Sequence, residues 1–459
     1  MTDTKYERVA VIDIGKTNAK VVLLDGKSGA EIAVRKTPNT VIAVPPYPHY
    51  DIEALWSFIQ ATLAEFARAP GFDAISITTH GASAVLLGKD GELALPVLDY
   101  EFEYPQAIRE NYAGLRPEFS ETCSPALSAG LNLGAQLHFQ KSAFPEAFER
   151  VWAILTYPQY WAWRLSGVVA NEATSLGCHT DLWNPAKGEF SSLVDRLGIR
   201  DRMAPIRSAF DALGPVRPEL CAVLGLERSV PVYCGIHDSN ASLLPHLVSC
   251  EPPFSVVSTG TWVVCFATPG NLDALTPERD SLANVNAFGR ATPSARFMGG
   301  REFEVLTQGL TMPDGDLDAV VYTVIGKSLM ILPNVVEGSG PFPGRRMQWI
   351  GSPASDAEKV VAASLYMALM TEVCLDLIGA EGQIVVEGPM SRNAVYLTAL
   401  ASATGREVAI QAGDSLSGTA LGAAMLTGMR PEVSGAIRHE PSLDLGGYRE
   451  QWRQAVEIG

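Results

Sequence analysis

The sequence predicts an α/β protein built as two related halves. Three observations carry that reading. The chain has 459 residues, more than the ~250–300 at which a single core stops growing, so two to three domains are expected. An apolar strand, a polar turn and a second apolar strand occur at residues 9–24 and recur at 254–267. The C-terminal third alternates strand-like and helix-like segments, as an α/β layer does.

In chain order, residues 9–14 and 20–24 are apolar and β-branched, and Gly15-Lys16-Thr17-Asn18 between them has turn chemistry. Asp25-Gly26 turns the chain into a third strand. Leu55, Phe58, Ile59, Leu63 and Phe66 recur at helical spacing over 51–68, and Pro70-Gly71 ends that helix. Residues 74–79 and 83–87 read as strands around His80-Gly81, and 105–230 is mostly helical in pattern. A short strand at 230–235 leads into a helix over 236–247, opened by Asp238 and Ser239. The second hairpin, 254–267, carries Ser258-Thr259-Gly260-Thr261 at its tip. Ser355 and Glu358 form a capping box for a helix running to 378, with Gly379 at its end. Then follow a strand at 383–387, the turn Gly388-Pro389-Met390-Ser391, a helix at 393–404, a strand at 407–411 and a helix at 417–427. Loops at 313–316 and 338–344 are rich in Pro and Gly.

Composition excludes several classes. Hydrophobic residues make up 47% and charged residues 19%, which is ordinary globular usage and not that of a disordered or collagen-like chain. The net charge is −16 and the one basic pair noted is Arg345-Arg346, so no nucleic-acid partner is expected. No membrane partner is expected either, because the longest nearly apolar run, 360–370, is too short to span a bilayer. The seven cysteines are scattered without a CxxC pair. That usage, with no basic-then-apolar leader before the first strand, predicts reduced thiols, a cytoplasmic protein and no zinc site. An anionic substrate remains compatible, since backbone N–H groups and a metal ion can hold one.

Four segments carry residues suited to chemistry. In the first hairpin, Asp13, Gly15, Lys16, Thr17, Asn18 and Lys20 combine close backbone approach, donors and a carboxylate able to hold a hydrated Mg²⁺. A polar hairpin tip explains the same residues. Gly260 and Thr261 repeat the design, and the same alternative applies. Asp238 opens a helix just after a strand. It reads as an N-cap or as the general base that phosphoryl transfer to an alcohol requires, and one position can serve both. Gly388-Pro389-Met390-Ser391-Arg392-Asn393 joins a strand to a helix, as a plain βα turn or as a nucleotide contact.

Taken together, the segments DIGKTNAK (13–20), GIHDSNAS (235–242), STGTW (258–262), EGPMSRN (387–393) and SLSGTALGAAMLTG (415–428) resemble, in order and spacing, the FGGY family of carbohydrate kinases in the actin/hexokinase-like ATPase superfamily. The likeness is closest to its L-rhamnulose kinase-like members. It implies two RNase H-like α/β lobes with an interlobe active-site cleft: a sugar-binding lobe over 1–235 and an ATP-binding lobe over 236–459. It implies ATP-dependent phosphorylation of a small-molecule sugar with Asp238 as general base. The nucleotide would be held by Asp13, Gly15, Lys16, Thr17, Asn18, Lys20, Gly260, Thr261, Gly388 and Asn393, with Mg²⁺ on Asp13 through water. On the acceptor side it implies His80 and Gly81, Asp99 and Glu101, His237 and Asn286. Asp99-Tyr100-Glu101 stands where many relatives carry Trp-x-Asp-x-Arg. A ketose of the rhamnulose or fuculose kind is expected. A polyol such as glycerol or erythritol, a nucleotide-dependent regulator and an ATPase without sugar acceptor are the alternatives. A homodimer is left open.

Overall fold

Strand Arg8–Ile14 is buried almost end to end, as a run of Val9, Val11, Ile12 and Ile14 requires. In the structure, a computed structural model describing residues 6–311, 313, 317–411, 418–431 and 435–458, this strand pairs antiparallel with Asn18–Asp25 and parallel with Ala74–Thr79. The chain divides into two compact units. The first comprises Met1–Ser249, Ala283–Ala291 and Asp414–Val433, and the second Cys250–Leu282, Thr292–Gly413 and Ser434–Gly459. The division leaves Asp238 and its helix in the first unit, whereas the sequence reading drew the boundary after residue 235.

The first unit is organised by a seven-stranded sheet. Its order is Ala212–Pro215, Pro231–Tyr233, Ala74–Thr79, Arg8–Ile14, Asn18–Asp25 and Glu31–Pro38, with Ile236–His237 also paired to Ala74–Thr79. Helix Ile52–Arg68 begins where the Asp51 carboxylate accepts a 3.0 Å bond from Ala54 N. Its face of Leu55, Ile59, Leu63 and Phe66 packs with Ile12, Val21 and Leu23 of the sheet. The opposite sheet face, Val9, Val11, Val22 and Leu24, packs with Ala241, Leu244, Ala420 and Leu421 from helices Asp238–Ser249 and Gly418–Met425. Small residues allow that approach: a Cβ on Gly422 would overlap the Ala241 carbonyl. The helix bearing Asp238 is thereby seated on the sheet.

The second unit repeats the strand pattern. Phe254–Thr259 pairs antiparallel with Val263–Thr268, which pairs antiparallel with Ala291–Phe297, while Gln383–Glu387 lies parallel on the other side of Phe254–Thr259. The first unit has the same pairing pattern, three antiparallel strands with a parallel neighbour on the first, although Ser281–Val285 precedes the third strand only in the second sheet. Ser355 Oγ accepts from Glu358 N at 3.2 Å. Glu358 Oε2 accepts from Ala354 N at 2.8 Å. The capping box is therefore made with a shift of one residue on its return bond. The helix it opens, Asp356–Leu377, is long and apolar enough by composition to cross a membrane, but 89% of its most apolar window is buried within the protein. It is the core helix of this unit.

Several elements differ from the sequence reading, among them Ala212–Pro215 of the first sheet, a strand inside the stretch 105–230. Val151–Thr156, inside the stretch expected to be helical, is a buried strand paired with Ala84–Gly88; its β-branched and aromatic residues fit that pairing. Residues 236–237, expected in the helix, form a short strand, and the helix starts at Asp238. Pro245 lies inside that helix. The first three residues of the 415–428 segment, and 314–316 of the loop before residue 317, lie outside the described residues.

Candidate active site

The first hairpin is pinned at its tip. Gly15 N donates to Asn18 O at 2.9 Å, Asn39 Nδ2 to Gly15 O at 2.8 Å, and Asn39 N to Thr17 O at 2.9 Å. Thr17 and Asn18 stand exposed there. Asp13 and Lys20 face each other across the two strands, and Lys20 Nζ lies 3.1 Å from Asp13 Oδ2. Burial raises the pKa of Asp13, Lys20 opposes that rise, and the charge of Asp238 adds to it. Two carboxylates of the first unit thus act on one another, which a cation beside them would relieve.

Lys16 also stands on this hairpin tip. Its ammonium bonds Asp99 Oδ1, lies 3.4 Å from Glu101 Oε2, and sits over the rings of Tyr100 and Tyr50 at 4.8 and 5.2 Å. It thus forms an ion pair with two acidic residues that the sequence reading expected at the sugar, because a long side chain follows its nearest buried countercharge. Asp99 is itself buried, and Tyr50 OH donates to the same Oδ1 at 3.3 Å.

His80 follows the last residue of strand Ala74–Thr79 and packs among Tyr50, Tyr100 and Tyr157, with ring centroids 5.3, 5.4 and 5.0 Å away. Its Nδ1 bonds the Gly81 carbonyl at 2.7 Å, which makes Nδ1 the protonated nitrogen. Burial lowers its pKa to about 4, so the ring is neutral. Nε2 is then a buried acceptor without a partner. The sheet delivers a lone pair here that a ligand hydroxyl can satisfy.

His237 ends the short strand Ile236–His237, in register with Thr79. Its Nε2 lies 3.1 Å from Asp238 Oδ1 and 3.7 Å from Cys178 Sγ, and Asn240 Nδ2 contacts its Nδ1 at 3.1 Å. Gly81 leaves room for this ring: a Cβ there would sit 3.0 Å from Nε2. Burial works against the charged imidazole, yet Cys178 and Asp238 raise its pKa well above the ordinary value. Burial likewise opposes ionisation of Asp238, but His237, His80 and the Ser239 N–H outweigh it and hold the pKa below the ordinary aspartate value. The Asp238 carboxylate is 32% exposed, so it is ionised and reachable. Cys178, which no sequence motif marked, has its pKa lowered to about 5 by His179 and His237 against burial. Asn286 is buried, and its Oδ1 accepts from Phe288 N and Arg290 N at 3.0 and 3.2 Å. Those bonds close its own turn.

In the second unit the tip of the second hairpin is a folded junction. Gly260 N donates to Trp262 O at 2.8 Å and Arg301 N to Thr261 O at 3.3 Å. Thr259 Oγ1 donates to Glu387 O at 2.5 Å and accepts from Met390 N at 3.1 Å. Gly388 has φ +82, and a Cβ there would overlap the Thr259 carbonyl, so this turn requires glycine. Asn393 caps helix Ala394–Thr404 through Tyr396 N at 3.0 Å and donates to Ser364 Oγ at 2.9 Å. Beside it lies a cavity of about 510 Å³ walled by apolar residues that include Phe303, Leu317, Val321, Met390 and Leu443, with Asp318, Ser364, Arg392, Asn393 and Thr398 as polar groups. Apolar walls with few polar groups suit a planar heteroaromatic base. Phe303, Leu317, Val321 and Leu443 come from distant segments and carried no local signal.

Family models match both parts of the chain. Residues 9–245 match the N-terminal domain of the FGGY family of carbohydrate kinases, and 251–435 match the Carbohydrate kinase FGGY C-terminal domain. The chain belongs to the FGGY family of carbohydrate kinases. Among solved structures, a carbohydrate kinase from Novosphingobium aromaticivorans is 37% identical, with a TM-score of 0.90 over 98% of each chain. Plasmodium falciparum glycerol kinase with ADP shares the two-domain fold at a TM-score of 0.81 and 12% identity, over 98% of each chain. L-fuculokinase of Escherichia coli (strain K12) is 25% identical over 283 residues, 59% of this chain and 58% of that protein. A rhamnulokinase of Bacteroides thetaiotaomicron is 24% identical over 292 residues, 61% of this chain and 58% of that protein. The matches thus span under two thirds of these curated relatives. This FGGY chain keeps the family's mixed α/β, actin-like architecture.

Proposed function

We propose that this FGGY protein transfers the γ-phosphoryl group of ATP to a hydroxyl of a ketose of the fuculose or rhamnulose kind. The observation that carries the reading is the reachable Asp238 carboxylate, held ionised by His237 beside the buried acceptor atom of His80. The names of the curated relatives, L-fuculokinase and rhamnulokinase, support the acceptor class.

In this reading Asp238 accepts the proton of the acceptor hydroxyl as its oxygen bonds to the γ-phosphorus. The bond from that phosphorus to the β,γ-bridging oxygen breaks, and ADP leaves with the electron pair. The backbone around Gly15 and Gly260, with Thr17, Asn18 and Thr261 as donors, orients the phosphates. Gly388 and Asn393 flank the apolar cavity that takes the base. Asp13 fits a hydrated Mg²⁺: it is a buried carboxylate whose burial a nearby cation would offset, as Lys20, 3.1 Å from its Oδ2, already does in part. No group of three or more His, Cys, Asp or Glu side chains that could hold a metal ion occurs among the described residues. When bound, that ion neutralises phosphate charge. His237 holds the base in place, and His80 offers Nε2 to a sugar hydroxyl.

The test is an acceptor panel of ketoses, aldoses and polyols, with ADP release coupled to a spectrophotometric readout. Turnover dominated by one or two ketoses is expected, because unpaired polar groups reject analogues lacking a hydroxyl by ~10⁴–10⁵. Glycerol or erythritol as the best acceptor would replace the ketose by a polyol. No acceptor-dependent ADP release would remove the kinase reading.

A further inference from the structure

The tip of the first hairpin offers four consecutive polar or glycine positions, 15–18, and three of them fit a phosphate turn. Lys16 does not behave with them. Two carboxylates engage its ammonium, Asp99 and Glu101, and two aromatic faces, Tyr50 and Tyr100, lie under it. The side chain is mostly covered, 18% exposed. Cation–π contact and ion pairing act together to hold it on the sugar-facing residues.

We infer that Lys16 is a specificity-determining residue of the acceptor subsite, which it builds with Asp99 and His80, and that this subsite takes a neutral polyhydroxylated sugar. The inference rests on the kinase reading above and reassigns one residue within it. An ammonium carries three donors. Asp99 and Glu101 engage two, and the third is available to a ligand hydroxyl. On Asp99, the bonds from Lys16, Tyr50 and the Glu101 N–H all fall on Oδ1, which leaves Oδ2 to accept. His80 Nε2 is a second acceptor, buried and without a partner. One donor and two acceptors, presented by three well-packed side chains, match adjacent hydroxyls of a sugar. The charge balance sets the class. Lys16 and the charged imidazole of His237 are two cations against the three carboxylates of Asp99, Glu101 and Asp238, and Asp238, Lys16 and His237 all act on His80. A carboxylated acceptor would meet net repulsion here.

The test compares Lys16→Met and Lys16→Arg with the wild type in two measurements. Calorimetry reads ATP binding in the absence of sugar. Steady-state kinetics reads KM for ATP, and for L-fuculose, L-rhamnulose and a sugar acid of the same length. Expected are ATP affinity within about twofold of wild type, a sugar KM raised roughly tenfold or more in Lys16→Met, and partial recovery in Lys16→Arg. The sugar acid should be rejected by the wild type. Loss of ATP binding in Lys16→Met with normal melting and an unchanged sugar KM would return Lys16 to the phosphates and overturn the inference alone. Preference of the wild type for the sugar acid would overturn it too. Failure of the wild type itself to bind ATP would instead strike the kinase reading, and the inference with it.

Discussion

His237 Nε2 lies 3.1 Å from Asp238 Oδ1. The two residues are neighbours in sequence, yet one ends a strand and the other opens a helix. The change of element turns both side chains to one place. The carboxylate is thus positioned at a strand end that is itself tied to Thr79, next to His80.

Asp238→Asn should keep the fold, since the amide oxygen can still accept from Ser239 N, the 2.6 Å bond of the wild type. Loss of the base should lower kcat by roughly 10²–10⁴. Steady-state turnover at saturating sugar and ATP checks it; an unchanged kcat would exclude Asp238 from proton transfer.

His237→Gln removes the charge that holds the Asp238 pKa down and leaves burial, which raises it. The base then protonates at higher pH. The acid limb of the kcat/KM profile should move to higher pH. A limb that stays where the wild type has it would show that His237 does not tune the base.

Gly260→Val tests the second phosphate turn. A Cβ at Gly260 finds only Trp262 O, at 3.8 Å, so the fold has space for a side chain. ATP affinity should fall while the melting temperature holds. Gly15→Val is the harsher change, because its Cβ would meet Asn18 O at 3.2 Å. Equal ATP binding by wild type and Gly260→Val in calorimetry would remove this turn from the nucleotide site.

Asp99→Ala and Glu101→Ala should differ. Asp99 is buried and anchors Lys16, whereas the Glu101 side chain is 67% exposed. Sugar KM should rise roughly 10- to 100-fold for Asp99→Ala and about threefold at most for Glu101→Ala. Equal effects, or a rise in ATP KM instead, would contradict the assignment.

Glu172 supports His237 from behind. Its Oε2 accepts from Thr174 Oγ1 at 2.5 Å, and that hydroxyl accepts from His237 N at 3.0 Å. Burial pushes its pKa up from 4.5 to about 7, against those hydrogen bonds. A raised carboxyl pKa stabilises the fold below the unfolded value, and that contribution fades as pH rises through the folded one. Relative to the wild type, Glu172→Gln should therefore gain melting temperature between pH 5 and pH 8. A constant difference across that range would show that Glu172 is ionised throughout.

Much of this protein follows from local sequence. The hairpins at 9–24 and 254–267, the caps at Asp51, Ser355 and Asn393, and the position of Asp238 at a helix start depend on residues within a few places of one another. Turn chemistry and capping are short-range, so they were legible. The strand Val151–Thr156 was not, because its partner Ala84–Gly88 lies far away in the chain and an apolar run alone does not choose between helix and strand. Tertiary structure also decided the surroundings of His80 and Lys16. Parallel pairing of Arg8–Ile14 with Ala74–Thr79 sets His80 near Tyr50 and Tyr100, and only then do Asp99 and Glu101 become the countercharges that Lys16 meets. A sequence shows that a lysine stands on a turn. The direction of its flexible side chain is set by the charges that distant segments bring within reach.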